Sequence, residues 1–246
     1  MARQAVLCLK DVSKRFGAFE VLRGVTMSVL DGTTQAIIGP NGAGKTTLVN
    51  VVSGLLKPSS GTIRLADEDI SAAPAHEIAR RGLIRTFQIA SLFEELTVRE
   101  NVEVAFVARH KYRPRGKEDS RRTDGPDEVI DLVGLAGVGD RRVDALSHGD
   151  QRLLEVAIAL SVDPRVILLD EPTAGMSPLE TACFIKLMNE RLKTLYTLIL
   201  IEHDMDVVMQ TADRVTVLEG GRVLAEGPPG DIMQDAAVQE AYLGRT

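Results

Sequence analysis

The stretch that decides the fold is Gly39-Pro40-Asn41-Gly42-Ala43-Gly44-Lys45-Thr46-Thr47, named here the phosphate loop. It follows the pattern G-x-x-x-x-G-K-[ST], a loop between a strand and a helix that wraps a polyphosphate. Apolar residues 36–38 enter it as a buried strand would, and residues 47–52 leave it with helical spacing. The glycines let successive backbone N–H groups turn inward as an anion nest, and the following helix adds the positive end of its dipole. The pattern therefore predicts nucleotide binding.

Two side chains of the phosphate loop have a predicted role. Lys45 supplies a positive charge that reaches the β- and γ-phosphates, and the Thr46 hydroxyl is a ligand for Mg²⁺. The alternative is a glycine-rich turn that matches by chance. A chance match is expected in roughly 1% of chains, so nucleotide binding is favoured.

The length and composition are typical of one large globular domain or of a core with a subdomain. Of 246 residues, 44% are hydrophobic and 26% charged, and the net charge of −6 argues against a nucleic-acid binder. No apolar run approaches the roughly 20 residues that span a bilayer, and the N-terminal apolar stretch is too short for a signal peptide. Cys8 and Cys183 suit neither a zinc site nor a disulfide framework, and we expect both to be buried. These observations predict a cytoplasmic protein.

Alternating apolar residues predict a small antiparallel sheet ahead of the phosphate loop. A strand over 6–12 runs into a turn at 13–17, residues 21–30 alternate again, and Asp31-Gly32 is typical of a hairpin. Beyond the loop, the patterns predict these elements: strands over 62–65 and 83–88, helices over 74–81, 96–107 and 127–133, a closing hairpin over 214–225 and two short helices over 228–243.

Phe16 precedes the phosphate loop at a distance that suits stacking on an adenine ring, and Phe19 is its competitor. The alternative for either residue is an aromatic in the core of the small sheet. Further along, the basic run over 109–122 could contact lipid headgroups or RNA. We favour the reading that this run is a solvated loop.

An acidic pair follows the apolar run 166–169, which is typical of a buried parallel strand. Asp170 and Glu171 stand at the carboxyl end of that strand, where Mg²⁺ and an attacking water would lie. We assign Asp170 to the metal and Glu171 to the role of a general base or water-orienting group. The alternative is a pair of carboxylates in surface salt bridges.

A second buried-type strand, 198–201, ends in Glu202-His203-Asp204. Neutral imidazole both donates and accepts a hydrogen bond, so His203 can contact a γ-phosphate or position water. A lone histidine is more often structural. Its place at a strand end beside the same pocket favours the functional reading.

Residues 146–151, Leu-Ser-His-Gly-Asp-Gln, resemble the L-S-G-G-x-Q signature that opens a helix in ABC-type ATPases. Ser147 and Gly149, with the helix N-terminus, make a second anion nest. In that family two domains pack head to tail and each signature closes on the other subunit's ATP. The resemblance therefore implies that Ser147 and Gly149 act on a partner's nucleotide. The family's order of motifs (phosphate loop, Gln88, signature, Asp170-Glu171, His203) is complete here.

The resemblance covers residues 6–244 and implies an α/β fold with a P-loop core. That core comprises residues 1–87 and 156–246, including the antiparallel sheet, and a helical subdomain over 88–155 carries the signature. Its ligands would be ATP and Mg²⁺. Gln88 takes the lid position that links the γ-phosphate and the metal to the transmembrane partner.

The remaining roles implied by the resemblance fall on residues already singled out. Phe16 takes the adenine-stacking place, where tyrosine is more usual in the family. Asp170 is the metal aspartate, Glu171 the catalytic glutamate and His203 the switch histidine.

Finer features are similar to one branch of the family, the ATP-binding subunits of importers for branched-chain amino acids, urea and amides. The segments that carry this similarity are 85–88, 92–98, 174–178, 202–205 and 241–244. The branch implies integral membrane permeases, a second ATP-binding subunit in a heterodimer or homodimer, and a periplasmic solute-binding protein. It places the chain on the cytoplasmic face of the inner membrane, with no nucleic-acid partner.

Two positions depart from the family pattern. His148 stands where the commonest signature has glycine, and Ser177 stands where the general family has the D-loop aspartate. Whatever that aspartate does across the dimer is therefore weaker, absent or supplied by the partner subunit.

Three other functions compete with the importer ATPase. An exporter ATPase shares the core motifs, which do not encode direction. Soluble ABC-type ATPases of DNA repair or translation generally carry a long coiled-coil insertion or two cassettes, and this chain has neither. A scaffold without ATPase chemistry is disfavoured by the intact catalytic set. The transported solute is not encoded in this subunit, since the binding protein and permeases select it.

Overall fold

A six-stranded sheet lies at the centre of the computed structural model, which describes residues 3–86, 92–112, 123 and 125–243. Its strands, in spatial order, are β10 (Arg222–Gly227), β9 (Arg214–Glu219), β3 (Thr34–Ile38), β8 (Thr197–Ile201), β7 (Val166–Asp170) and β6 (Leu83–Arg85). Neighbours are parallel except for β10, which pairs antiparallel with β9. Every residue of β3, β7 and β8 is buried, as the apolar runs predicted for parallel strands covered on both faces.

The predicted antiparallel sheet is confirmed, with strand order β2 (Phe19–Leu30), β1 (Ala5–Phe16), β4 (Ser60–Leu65) and β5 (Glu68–Asp69). Two details were wrong. β1 continues to Phe16 instead of turning at residue 13, because the turn is the two-residue Gly17-Ala18, in which Gly17 has a φ of 59°. Asp31-Gly32 is not a hairpin, because it joins β2 to β3 and these strands lie in different sheets.

Ten α-helices lie within the part of the chain that the structure describes. They are α1 (Lys45–Val52), α2 (Ala75–Arg80), α3 (Val98–Tyr112), α4 (Pro126–Leu132), α5 (His148–Ser161), α6 (Pro178–Leu187), α7 (Lys193–Leu195), α8 (Met205–Thr211), α9 (Pro229–Gln234) and α10 (Ala236–Leu243). A π-helical turn, Met188–Leu192, joins α6 to α7. The predicted helices and the closing hairpin are present, with bounds shifted by a few residues. Over the same described ranges, none of the helices has the length and apolarity needed to cross a bilayer.

The six-stranded sheet has a hydrophobic core on each face because side chains alternate along its strands. Leu168 and Ile199 pack with α1 and the antiparallel sheet. Ile167 and Leu198 pack on the opposite face with residues of α3, α4, α5 and α6. Helix α5 contributes to this second core on both sides of residue 155, so one continuous helix crosses the predicted subdomain boundary. The division at 88–155 stays a prediction.

The carboxyl ends of β3, β8 and β7 meet at one edge of the sheet. Strand register places Ile201 beside Ile37 on one side and beside Asp170 on the other. The phosphate loop, the turn after β8 and the acidic pair after β7 are therefore neighbours. Open α/β sheets bind ligands outside this edge.

The cysteine prediction is half wrong. Cys8 is half-buried in β1, but Cys183 is exposed on α6. Position 183 faces solvent because the buried stripe of α6 is formed by its neighbours Phe184 and Leu187.

Candidate functional site

The phosphate loop has a backbone that requires glycine at specific points. Gly39, Gly42 and Gly44 have φ values of 151°, 80° and 103°, a region that other residues adopt only with strain. A Cβ on Gly39 would also lie 2.1 Å from the carbonyl oxygen of Leu218. These conformations turn the loop around the N-terminus of α1, which begins at Lys45. The loop therefore fits the anion nest that its sequence predicts.

Lys45 is buried against its own loop. Its Nζ donates to the carbonyl oxygens of Gly39 at 2.5 Å and Pro40 at 3.2 Å. Burial lowers the pKa of Lys45, and the negative charge of Glu171 opposes that lowering. The ammonium group therefore contacts carbonyls of its own loop and is close enough to Glu171 for that charge to act on it.

The residues present fit a magnesium ion that is shared with a nucleotide. Thr46 is exposed in the first turn of α1, and Asp170 ends β7 at the same edge of the sheet. Within residues 3–86, 92–112, 123 and 125–243, no group of three or more His, Cys, Asp or Glu residues could hold a metal ion by itself. Mg²⁺ is often held by one or two protein ligands together with substrate phosphates, and Thr46 with Asp170 suits that arrangement.

Asp170 is fixed by Arg85, a residue whose role the sequence did not predict. Arg85 Nη2 donates to Asp170 Oδ2 at 2.6 Å, and Nη1 donates to Asn50 Oδ1 at 2.6 Å. Both members of the ion pair are buried, so the alternative of a surface salt bridge is wrong for Asp170. Arg85 ends β6, which pairs with β7 so that Arg85 lies opposite Leu168. The pairing of β6 with β7 therefore brings Arg85 to Asp170.

Glu171 and His203 lie together, as a shared catalytic role requires. The distance from His203 Nε2 to Glu171 Oε1 is 2.7 Å, which is a short hydrogen bond. Glu171 has a φ of 49°, and its N–H donates to Ile201 at 2.9 Å. A non-glycine residue with positive φ is strained, and such residues cluster at functional sites.

Glu202 holds the turns after β7 and β8 together. Its Oε1 accepts hydrogen bonds from the N–H of Thr173 at 3.1 Å and its hydroxyl at 2.6 Å, and its Oε2 accepts from the N–H of His203 at 3.1 Å. The carboxylate is buried. The sequence showed Glu202 only as the residue before His203, and no local pattern indicated these contacts.

The signature segment (residues 146–151) opens helix α5 as predicted. Ser147 is its N-cap and accepts a hydrogen bond from the N–H of Asp150 at 3.1 Å. The Ser147 hydroxyl and the Gly149 N–H both donate to Oε1 of Glu180, at 3.1 and 3.2 Å. Both predicted donors therefore bind one carboxylate oxygen of Glu180. The sequence did not single out Glu180.

Phe16 and Phe19 flank the turn between β1 and β2 and pair with each other across it. Phe16 is 47% exposed and Phe19 is 68% exposed, so the alternative of a buried core aromatic fits neither. Lys14 Nζ lies 5.2 Å from the centre of the Phe16 ring. Both rings remain candidates for stacking on a base.

Gln88 lies outside the described residues, as does most of the basic run over 109–122. Just beyond Gln88, the side chain of Phe93 is 54% exposed. Its backbone is held by the buried Asn101, which accepts from the Phe93 N–H at 2.9 Å and donates to its carbonyl at 3.1 Å. Phe93 is therefore an exposed aromatic on a fixed backbone.

Comparisons with known proteins agree with this geometry. Residues 22–174 match the family described as ABC transporter, and residues 222–246 match the one described as branched-chain amino acid ATP-binding cassette transporter. The high-affinity branched-chain amino acid transport ATP-binding protein BraF of Pseudomonas aeruginosa is 38% identical over 252 residues, or 97% of this chain and 98% of the relative.

Two further similarities concern an exporter subunit and a solved structure. The lipopolysaccharide export system ATP-binding protein LptB of Haemophilus influenzae is 32% identical, over 98% of both chains. The crystal structure of an ATP-binding cassette of an ABC transporter in its ADP conformation has a TM-score of 0.85 and 31% identity. That match covers 98% of this chain and 100% of the other.

Proposed function

The chain belongs to the family of ABC transporter ATP-binding subunits, and from that premise we propose that it hydrolyses ATP to drive a bacterial importer of branched-chain amino acids or related small amides such as urea. One observation carries the proposal. Strand order brings the phosphate loop, Glu171 and His203 to one edge of the sheet, with Glu171 and His203 in hydrogen-bond contact.

ATP binding rests on the phosphate loop. The backbone N–H groups of residues 39–47 and the N-terminus of α1 surround the phosphates, and Lys45 leaves the carbonyls of Gly39 and Pro40 to contact the β- and γ-phosphates. Phe16, exposed at the end of β1, stacks on the adenine. Thr46 and Asp170 would hold a magnesium ion, which would neutralise charge on the phosphates.

Hydrolysis rests on Glu171. Its carboxylate orients the attacking water and accepts its proton, while His203 Nε2 holds that carboxylate in position. A direct contact of His203 with the γ-phosphate is the alternative role. Glu202 holds the turns after β7 and β8 together, because its carboxylate accepts hydrogen bonds from both of them. Gln88 is assigned to the link between the γ-phosphate, the metal and the membrane partner.

The signature segment acts on a second ATP-binding subunit. Ser147 and Gly149 present a hydroxyl and an N–H at the start of α5, which together suit a phosphate oxygen. We expect a heterodimer, with a homodimer as the alternative. The pair docks on integral membrane permeases at the cytoplasmic face of the inner membrane, and a periplasmic binding protein delivers the solute.

Import of branched-chain amino acids is favoured over export by the C-terminal match. Residues 222–246 match a family described by that transport activity, and BraF is 38% identical over nearly the whole chain. The exporter alternative is supported by LptB, at 32% identity. Both share the ATPase core, so the direction of transport has to be measured in the assembled complex.

The test uses the chain assembled with its permeases and second ATPase subunit in proteoliposomes, with the solute-binding protein supplied on the outside. ATP hydrolysis should rise when the binding protein carries leucine, isoleucine or valine, and labelled solute should accumulate inside. Urea and short amides provide the second arm. Stimulation by none of these solutes, or solute movement in the opposite direction, would overturn the importer proposal.

A further inference from the structure

The carboxylate of Glu180 has two sets of partners. Its Oε2 accepts hydrogen bonds from the N–H and the hydroxyl of Ser177, both at 2.8 Å, and the Ser177 hydroxyl oxygen accepts from the Glu180 N–H at 3.3 Å. This is a capping box at the start of α6. Its Oε1 accepts from Ser147 and Gly149. One side chain therefore links the start of α6 to the signature segment.

The Oε1 atom of Glu180 accepts the hydrogens of both predicted donors of the signature segment, the Ser147 hydroxyl and the Gly149 N–H. A serine hydroxyl has one hydrogen and a backbone amide has one, so both are committed to Glu180. A Cβ on Gly149 would lie 2.4 Å from Oε1, and only glycine at this position permits the approach. Hydrogen bonds from Ser177, and then from Ser147, lower the pKa of Glu180 to about 2, so the carboxylate is charged at neutral pH.

Of the two departures from the family pattern, Ser177 takes part in this contact and His148 lies beside it. Ser177 caps α6 and binds Oε2. His148 lies against the turn before Ser177, since a Cβ on Gly175 would come within 3.1 Å of the His148 ring. The start of α6 and the signature segment are therefore joined by Glu180, and the two residues that depart from the general pattern lie at or beside this junction.

We propose that Glu180 is an internal anion that occupies the signature nest of the free subunit and has to leave Ser147 and Gly149 before the partner subunit's ATP can bind there. This inference rests on the proposed function, since it needs a phosphate supplied by the partner. A phosphate oxygen and Oε1 cannot take the same two hydrogens, and their negative charges repel each other. Glu180 thus opposes closure of the dimer, while its bonds to Ser177 keep it close enough to return when phosphate leaves.

The test is Glu180→Gln, which removes the charge and keeps the capping box, because glutamine serves at this position as glutamate does. The variant is made in a Glu171→Gln background, so that hydrolysis does not reopen the dimer. Light scattering with the partner subunit, Mg²⁺ and increasing ATP gives the ATP concentration for half-maximal closure. That concentration should fall roughly two- to fivefold, the ratio expected for one charge at a helix N-terminus.

The matched control is Glu100→Gln. Glu100 closes the same kind of box with Thr97 at the start of α3, with distances of 2.7, 2.9 and 3.2 Å. It should leave the ATP requirement unchanged. An equal shift in both variants, or an unchanged or higher requirement in Glu180→Gln, would overturn the inference. Failure of the Glu171→Gln reference pair to close at any ATP concentration would overturn the proposed function instead.

Discussion

Arg85 Nη2 lies 2.6 Å from Asp170 Oδ2, and both side chains are more than nine-tenths buried. Because the other arm of the same guanidinium bonds to Asn50 on α1, Arg85 connects strand β7 to the helix that follows the phosphate loop. Asp170 is the proposed metal ligand. The ion pair holds its Oδ2 atom and thereby fixes the direction of its Oδ1 atom. Arg85 is therefore a positioning residue for the nucleotide site.

Replacing Arg85 should destabilise the fold. Arg85→Gln leaves the Asp170 charge buried without its partner, a loss that typically costs about 3–5 kcal/mol. The free energy of unfolding, measured by urea denaturation, should fall by that order. Arg142→Gln is the control: its pair with Asp144 is about half exposed, and such pairs are worth about 1 kcal/mol or less. An equal decrease in the free energy of unfolding in the two variants would show that the buried Arg85–Asp170 pair contributes no more to stability than an exposed pair.

Glu171→Gln should abolish most hydrolysis and leave ATP binding intact. The amide keeps the shape of the side chain but loses the charge that polarises water, and a general base contributes roughly 10²–10⁴-fold to the rate. Phosphate release should fall by that factor, while the affinity for a fluorescent ATP analogue stays within about twofold. With the partner subunit present, the ATP-bound dimer should persist. Wild-type rates in this variant would falsify the role assigned to Glu171.

Lys45→Ala should have the opposite effect, because it weakens nucleotide binding. The variant loses charge-assisted hydrogen bonds to phosphate that are worth about 1.5–3 kcal/mol, so affinity should fall on the order of 10- to 100-fold. Titration with the fluorescent ATP analogue measures this change. Lys10→Ala, at an exposed position of β1, should bind as the wild type does. Retained affinity in Lys45→Ala would place the phosphates elsewhere.

Phe93→Ala should uncouple ATP hydrolysis from transport. The ring is exposed on a backbone that Asn101 anchors, and we expect it to contact a cytoplasmic helix of a permease. Solute uptake in proteoliposomes should fall several-fold, while the basal ATPase rate of the unassembled subunit is unchanged. Val107→Ala, which truncates a side chain of α3 that is more exposed than Phe93, serves as the comparison. Normal uptake in Phe93→Ala would remove Phe93 from the coupling surface.

The sequence by itself determined the phosphate loop, the buried strands β3, β7 and β8, and the acidic pair and histidine that end two of them. These features follow from local chemistry: glycines at positions of positive φ, continuous apolar runs, and polar residues placed at the ends of those runs. The hairpin predicted at Asp31-Gly32 failed because a local turn pattern does not say which sheet the next strand joins.

Only the tertiary structure decided how the site is supported. Arg85 and Asp170 are 85 positions apart and meet because β6 pairs with β7. Glu202 reaches back 29 positions to Thr173, and Glu180 reaches back 31 positions to Gly149. No periodic pattern encodes such contacts, since they depend on strand order and on the packing of α6 against α5. The residues of the nucleotide site can thus be predicted from local sequence, whereas the side chains that position and restrain them are identified only from the tertiary structure.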